Sequence, residues 1–291
     1  MNKILALLRI HQWAKNFFIF LPLFFDKRFG DLKLLTTCFI VFLGFSFITS
    51  AVYCFNDIID REDDKKHPLK KKRPIASGDI TTLSGWIISF CLIISGGSIL
   101  FLAYRSISVI LIVLLYLILN IAYSIEFKRI AIIDVFIIGI GFVIRIIIGG
   151  IIGDITLSHW IVIMTFLLAI FLGFAKRLDD VQIYTKTGVA GRKNIIRYNV
   201  PFLYALLMIT STVTVVAYLM YSISDEITNR FGSNYIYLTS LFVILGIFRY
   251  LQLTIVDKKG GSPTFILLKD FFIQGCIIAW LLSFALIIYF I

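Results

Sequence analysis

Between Asn56 and Pro74 the chain changes character. Asn56-Asp57-Ile58-Ile59-Asp60-Arg61-Glu62-Asp63-Asp64 is followed by Lys65-Lys66-His67-Pro68 and then by Lys70-Lys71-Lys72-Arg73-Pro74. On one continuous helix from Thr36 to Asp64, Asn56, Asp57, Asp60 and Asp64 fall within about a quarter of the circumference. Three carboxylates on one face repel one another unless a cation sits among them. Oxygen-only ligands suit magnesium, which takes one or two carboxylates and keeps waters and phosphate oxygens as its remaining ligands. The basic run supplies donors for the rest of a phosphorylated ligand. A positive-inside loop accounts for the lysines alone, but not for Asn and Asp, poor helix formers, clustered on one face. The pattern predicts a magnesium and phosphate site with Asn56, Asp57, Asp60 and Asp64 as candidate metal ligands.

The elements that carry this stretch are apolar. With 59% hydrophobic and 15% charged residues and a mean hydropathy of +0.95, the composition exceeds that of soluble domains. Runs able to cross about 30 Å of hydrocarbon are expected at 16–30 (short), 34–57, 83–103, 106–126, 131–152, 158–176, 202–222, 235–256 and 269–290, nine in all. Of the 28 Lys and Arg, twenty fall in the segments that share a side with the N-terminus and five on the other side. That bias puts the N-terminus and the acidic face in the cytoplasm, at the cell membrane. The formal charge of +11 follows from those loops and excludes nucleic acid as the partner. Cys38, Cys54, Cys91 and Cys276 show no C-x-x-C spacing, so neither zinc nor a disulfide framework is indicated. No cleavable signal peptide and no soluble domain is expected, which makes residues 1–291 a single transmembrane domain.

Further candidates lie near the same membrane face. Lys15 enters the first apolar run, where it either snorkels to headgroups or binds phosphate; Trp13 suits an interfacial anchor. Tyr53 is one turn deeper than Asn56. The loop Arg73-Pro74-Ile75-Ala76-Ser77-Gly78 is built to fold back and bring Lys66, Lys72 and Arg73 onto a diphosphate. Lys128 sits in a short basic loop. Arg145 lies deep in an apolar span, where a charge costs at least about 2.5–3.5 kcal/mol. It is either paired with Asp134 or a ligand for an anion. A second polar stretch, Lys176-Arg177-Leu178-Asp179-Asp180, continues through Thr187-Gly188 to Arg192-Lys193 and offers Lys176, Asp179 and Asp180.

These features resemble the UbiA superfamily of intramembrane prenyltransferases over essentially the whole chain. The resemblance rests on the Asn-Asp-x-x-Asp-x-x-x-Asp pattern at 56–64, the Arg73-Pro74 to Ser77-Gly78 loop, the span count and an acidic motif after the sixth span. Within the superfamily the chain is most similar to the polyprenyl-phosphate phosphoribosyltransferase branch. That likeness is carried by His11-Gln12-Trp13-x-Lys15-Asn16, Lys176-Arg177-x-Asp179-Asp180-Val181 and Gly261-Ser262-Pro263-Thr264. Prenyl-diphosphate members space their second carboxylate pair as Asp-x-x-x-Asp, whereas Ile183 and Tyr184 occupy those positions here.

The resemblance implies an all-α integral membrane bundle of nine helices around a central cavity open to the cytoplasm and laterally to lipid. It also implies magnesium, 5-phosphoribosyl 1-diphosphate as donor and a polyprenyl phosphate lipid as acceptor, with the oligomeric state, homo-oligomer included, left open. Asp57, Asp60 and Asp64 are then the catalytic carboxylates, and Asn56 and Asp60 the first magnesium ligands. Lys66, Lys72, Arg73, Lys15 and Tyr53 position the donor, Lys128 and Arg145 the acceptor phosphate, and Lys176, Asp179 and Asp180 close the cavity. A rival is transfer of a prenyl group from prenyl diphosphate to an aromatic acceptor. A transporter is disfavoured because the polar groups gather on one membrane face.

Overall fold

The computed structural model describes residues 3–67, 70–188, 193–258 and 263–290; Pro68, Arg192 and the Gly261-Ser262 half of the 261–264 motif lie outside them. Among the described residues every regular element is helical. Seven helices are long and apolar enough to cross a membrane, and a bent pair makes an eighth if counted as one span. The chain divides into two compact units, Met1–Leu157 with Tyr184–Arg197, and Ser158–Ile183 with Tyr198–Ile291.

The first unit contains α1 (Lys3–Leu8), a 3-10 helix (Ile10–Phe20), α2 (Leu21–Phe25), α3 (Leu32–Ile59), α4 (Arg61–Lys66), α5 (Thr82–Ala103), α6 (Ile107–Ile125) and α7 (Ile133–Gly153). Asp31 caps α3 by accepting from Leu34 N, and Thr81 caps α5 by accepting from Ser84 N. In lipid no hydrophobic force draws spans together, so close approach of small residues drives their packing. Accordingly a Cβ on Gly96 of α5 would stand 2.7 Å from the Gly44 carbonyl oxygen of α3. Cys38, Val41, Phe45 and Ile48 of α3 and Ile144, Ile148 and Ile152 of α7 form the buried centre of this unit.

Two expectations are corrected here. The first apolar run is not a membrane-long α-helix: residues 10–20 form the 3-10 helix and only 21–25 are α-helical. Because a 3-10 helix rises about 2.0 Å per residue against 1.5 Å, residues 10–25 still extend about 30 Å. This segment approaches α7 so closely that a Cβ at Gly149 would lie 2.0 Å from the Ile19 carbonyl oxygen. Trp13, expected as an interfacial anchor, donates to Ser50 Oγ on α3 at 2.9 Å. Nor is the helix continuous to Asp64. A turn at Asp60 (φ −87°, ψ 2°) separates α3 from α4, whose acids sit in its first turn and lysines in its last, as its dipole favours.

The second unit is built from α8 (His159–Thr187) as far as Ile183, α9 (Val200–Ile223), α10 (Asp225–Phe231), α11 (Ser240–Leu251), α12 (Pro263–Lys269) and α13 (Phe271–Phe290). The expected span 158–176 runs on to Thr187, so Lys176 to Asp180 continue the same helix. The expected last span, 269–290, is essentially α13, and α12 just before it is bent from it by 81° at Asp270. That carboxylate stabilises the break twice, accepting from Arg249 Nη2 at 2.8 Å and from the Ile273 backbone N–H at 2.9 Å. Within the core, Tyr218 Oη meets Thr239 Oγ1 and accepts from Trp280 Nε1, both at 2.6 Å.

Candidate active site

The end of α3, the turn at Asp60 and α4 present the acidic residues, and the chain returns over them at Arg73. Ile80 N donates to Pro74 O at 2.9 Å, Ser77 N to Arg73 O at 2.8 Å, and Gly78 takes φ +84°, a conformation that suits glycine. Ile75 is thereby buried with Leu7 and Cys54. This apolar anchor fixes the loop, whose Arg73 turns inward. Arg73 Nη1 reaches Asp57 Oδ1 at 3.1 Å and Asp64 Oδ2 at 2.6 Å.

Asp57 has a second cation. Arg9 Nη2 donates to the same Oδ1, and the Arg9 guanidinium lies 5.0 Å from the Tyr53 ring centroid. Arg9 adopts the left-handed conformation, φ 51° and ψ 48°, at the junction of α1 and the 3-10 helix. For a residue with a Cβ this costs of order 1 kcal/mol. Asp60 takes a different route: Lys128 Nζ binds its Oδ1 and Asn56 Nδ2 donates to its Oδ2 at 3.0 Å. Asp57, Asp60 and Asp64 are therefore each held by a cation of the chain. Burial pushes the Asp64 carboxyl above the ordinary carboxylate range, against the pull of Arg73 and Lys70. Burial likewise lowers Arg73, ahead of its repulsion by Arg9 and against the pull of Asp57 and Asp64.

The structure distributes the other candidates unevenly. Tyr53 and Lys15 lie within electrostatic reach of Arg9 and Arg145. Lys66 and Lys72 are exposed and make no ion pair among the described residues. Lys176, Asp179 and Asp180 belong to α8 in the second unit, where Asp180 Oδ2 accepts from the fully buried Arg177 at 3.0 Å. Arg145 is not paired with Asp134. It donates to Asn16 Oδ1 at 2.8 Å, to Gly141 O at 2.5 Å and to Tyr116 Oη at 3.4 Å. The rings of Phe45, Tyr116 and Phe142 surround its guanidinium at 5.2–5.5 Å. Asn16 is itself oriented by donating to Ser46 Oγ at 2.8 Å and Thr49 Oγ1 at 3.3 Å. Lys15 and Arg145 thus bring two positive charges that no carboxylate among the described residues neutralises by an ion pair.

Sequence reasoning missed Arg9, Asn16 and Tyr116 as members of these networks. Arg9 carried a signal, a charge directly before the first apolar run, but Lys15 carried the same one. Nothing in the sequence pairs Asn16 with a residue 129 positions away.

Among the described residues no three His, Cys, Asp or Glu side chains form a ready metal cage. What is present is Asn56 Oδ1, buried without a hydrogen-bond partner, next to the Asp60 carboxylate. An orphaned amide oxygen beside a carboxylate fits magnesium, which needs few protein ligands when substrate phosphates complete its shell.

A family model described as the UbiA prenyltransferase family matches residues 26–274. The chain is 26% identical to a decaprenyl-phosphate phosphoribosyltransferase of Corynebacterium glutamicum, over 97% of this chain and 85% of that one. It is 27% identical to the enzyme of the same name from Mycolicibacterium smegmatis, over 97% and 91% respectively. A stretch of 174 residues, 60% of this chain, is 37% identical to an uncharacterized protein of Sinorhizobium fredii; the match spans only 33% of that protein's length. In fold, the chain resembles a UbiA homolog from Archaeoglobus fulgidus bound to DMAPP and Mg2+, with a TM-score of 0.70, 20% identity and full coverage of both chains.

Proposed function

The chain belongs to the UbiA prenyltransferase family, and we propose that it transfers the 5-phosphoribosyl group of 5-phosphoribosyl 1-diphosphate to a polyprenyl phosphate, releasing diphosphate, with magnesium as cofactor. It is a multi-pass integral membrane protein. We assign it nine crossings of the plasma membrane, residues 10–25 making the first, with the site facing the cytoplasm. The near full-length similarity to two phosphoribosyltransferases of polyprenyl phosphate supports this choice of substrates.

The observation that carries the reading is the one-for-one match of Asp57, Asp60 and Asp64 by Arg9, Arg73 and Lys128. Such a set exchanges partners without leaving a buried charge uncompensated. Arg9, Arg73 and Lys128 turn their N–H groups to the oxygens of the donor diphosphate, where charge-assisted bonds are strong. Lys66, exposed at the end of α4, and Lys72, exposed just before Arg73, close over its outer phosphate. Asn56 and Asp60, with Asp57 and Asp64 as further oxygen ligands, would hold magnesium, whose charge when bound stabilises the departing diphosphate.

Lys15 and Arg145 orient the acceptor phosphate, an oxygen of which attacks the ribose C1 as the C1–O bond to diphosphate breaks. That acceptor is ionised near neutral pH and needs no base. We assign Lys176, Asp179 and Asp180 a substrate-binding role on the sequence pattern alone, and treat residues 1–291 as one transmembrane domain because the matched region runs through both units.

The test is to supply membranes containing the protein with labelled 5-phosphoribosyl 1-diphosphate and, separately, labelled prenyl diphosphate. Label entering the polyprenyl phosphate fraction from the first donor is the expected result. Label entering an aromatic acceptor from the second alone refutes the assignment.

A further inference from the structure

Two buried polar side chains in the first unit have no hydrogen-bond partner among the described residues and no part in the networks above. Asn194 is 1% exposed, and both its Nδ2 and its Oδ1 are unpaired. Ser124 is equally buried, and its Oγ is unpaired. A buried amide or hydroxyl left unsatisfied is costly, and in a native protein it calls for an explanation. Their position supplies one. Ser124 lies in the last turn of α6, immediately before the 3-10 turn Phe127–Arg129 that carries Lys128. Asn194 lies in the turn Lys193–Arg197, which packs against that same Phe127–Arg129 turn. Both therefore lie beside the turn that carries Lys128, the partner of Asp60.

Their chemistry selects the ligand. A carboxamide with donor and acceptor both free is the partner of a vicinal diol, giving Nδ2–H to one hydroxyl oxygen and taking a proton bond from the neighbouring hydroxyl at Oδ1. Ser124 adds a group that can donate or accept. Neither carries charge, so neither adds to the positive charge that the arginines and lysines offer a phosphate. An isoprenoid chain would leave all three atoms unsatisfied.

We propose that Asn194 and Ser124 form a hydroxyl-reading subsite beside Lys128 that binds the ring hydroxyls of a phosphorylated sugar donor and discriminates against donors lacking them. This rests on the sugar-transfer reading above and adds to it the residues that make the donor a sugar. Sites built to hydrogen-bond a substrate hydroxyl reject the analogue without it far more strongly than apolar pockets reject a misfit.

The experiment pairs donor analogues with variants in the purified full-length protein. Wild type is expected to prefer 5-phosphoribosyl 1-diphosphate over its 2-deoxy and 3-deoxy analogues by about 30-fold or more in kcat/KM. In Asn194→Ala that preference falls to within about 3-fold, while the dissociation constant for inorganic diphosphate stays unchanged. Stability supplies a second readout of opposite sign. Because the free amide is unsatisfied, Asn194→Leu raises the melting temperature of the unliganded protein by about 2 °C and loses the shift that the sugar donor induces. A variant that keeps the wild-type preference overturns the subsite, as does an Asn194→Leu protein that melts lower yet still responds to the donor. Absence of sugar transfer in wild type would instead overturn the proposed function, which keeps the two failures distinct.

Discussion

Removing Asp57 should damage the fold more than removing either arginine that holds it, and the damage should not add. Asp57 is 2% exposed, and its Oδ1 receives Arg9 and Arg73, whose side chains are 18% and 24% exposed. Asp57→Ala strands two largely buried guanidinium groups, of which only Arg73 keeps another carboxylate, Asp64. Breaking a buried pair from one side costs about 3–5 kcal/mol; with partial solvent access, about 3 kcal/mol applies. Arg9→Ala leaves Asp57 still bonded to Arg73 and removes one charge-assisted bond, about 2 kcal/mol. In the double variant nothing is stranded at Arg9, so the loss should be about 3 kcal/mol rather than the sum, a coupling of about 2 kcal/mol. Melting temperatures in detergent, without metal or donor, read this out: Asp57→Ala should fall by about 6 °C or more. Equal and additive effects of the two single variants would show that the arginine pairs do not exist in the unliganded protein.

Gly149→Ala should destabilise the first unit, since its Cβ would meet the Ile19 carbonyl at 2.0 Å; wild-type melting and wild-type activity together would contradict that packing. Lys66→Ala and Lys72→Ala should leave the melting temperature unchanged while raising the KM for the donor by about tenfold each, one charge-assisted contact apiece; a shift in stability instead would give them a structural role. Asp64 fixes the sign of a pH dependence. Its folded pKa is raised by burial, so the folded chain holds that proton more tightly than the unfolded chain does, and the stability this contributes is present at low pH and declines as pH rises through the raised pKa. Any stability difference between wild type and Asp64→Asn should accordingly shrink as pH falls towards 4 and grow towards neutrality; a difference that grows on acidification refutes this.

The sequence disclosed most where chemistry and periodicity coincide. Long apolar runs marked the spans because each must satisfy its backbone internally, and the Asp-rich stretch stood out because nothing apolar explains it. The Arg73 loop was legible from Pro74 and Gly78, whose backbone demands are local. What stayed hidden depends on tertiary partners. The 3-10 segment 10–20 packs closely on a partner far away in sequence, Ile19 on Gly149, 130 positions on. Arg145 looked like half of a pair with Asp134 because spacing along one helix is all the sequence offers; its partners Asn16 and Tyr116 come from other elements. The turn at Asp60 was missed because it is set by the contacts of that carboxylate with Asn56 and Lys128, not by a helix-breaking residue.

The central claim is that the carboxylates at the end of α3 would hold the leaving diphosphate through magnesium. Asp60→Ala, reconstituted in lipid and given labelled 5-phosphoribosyl 1-diphosphate with polyprenyl phosphate and magnesium, tests it most directly. The account predicts a protein that inserts into the membrane and melts cooperatively but transfers no label. Turnover at the wild-type rate would contradict it.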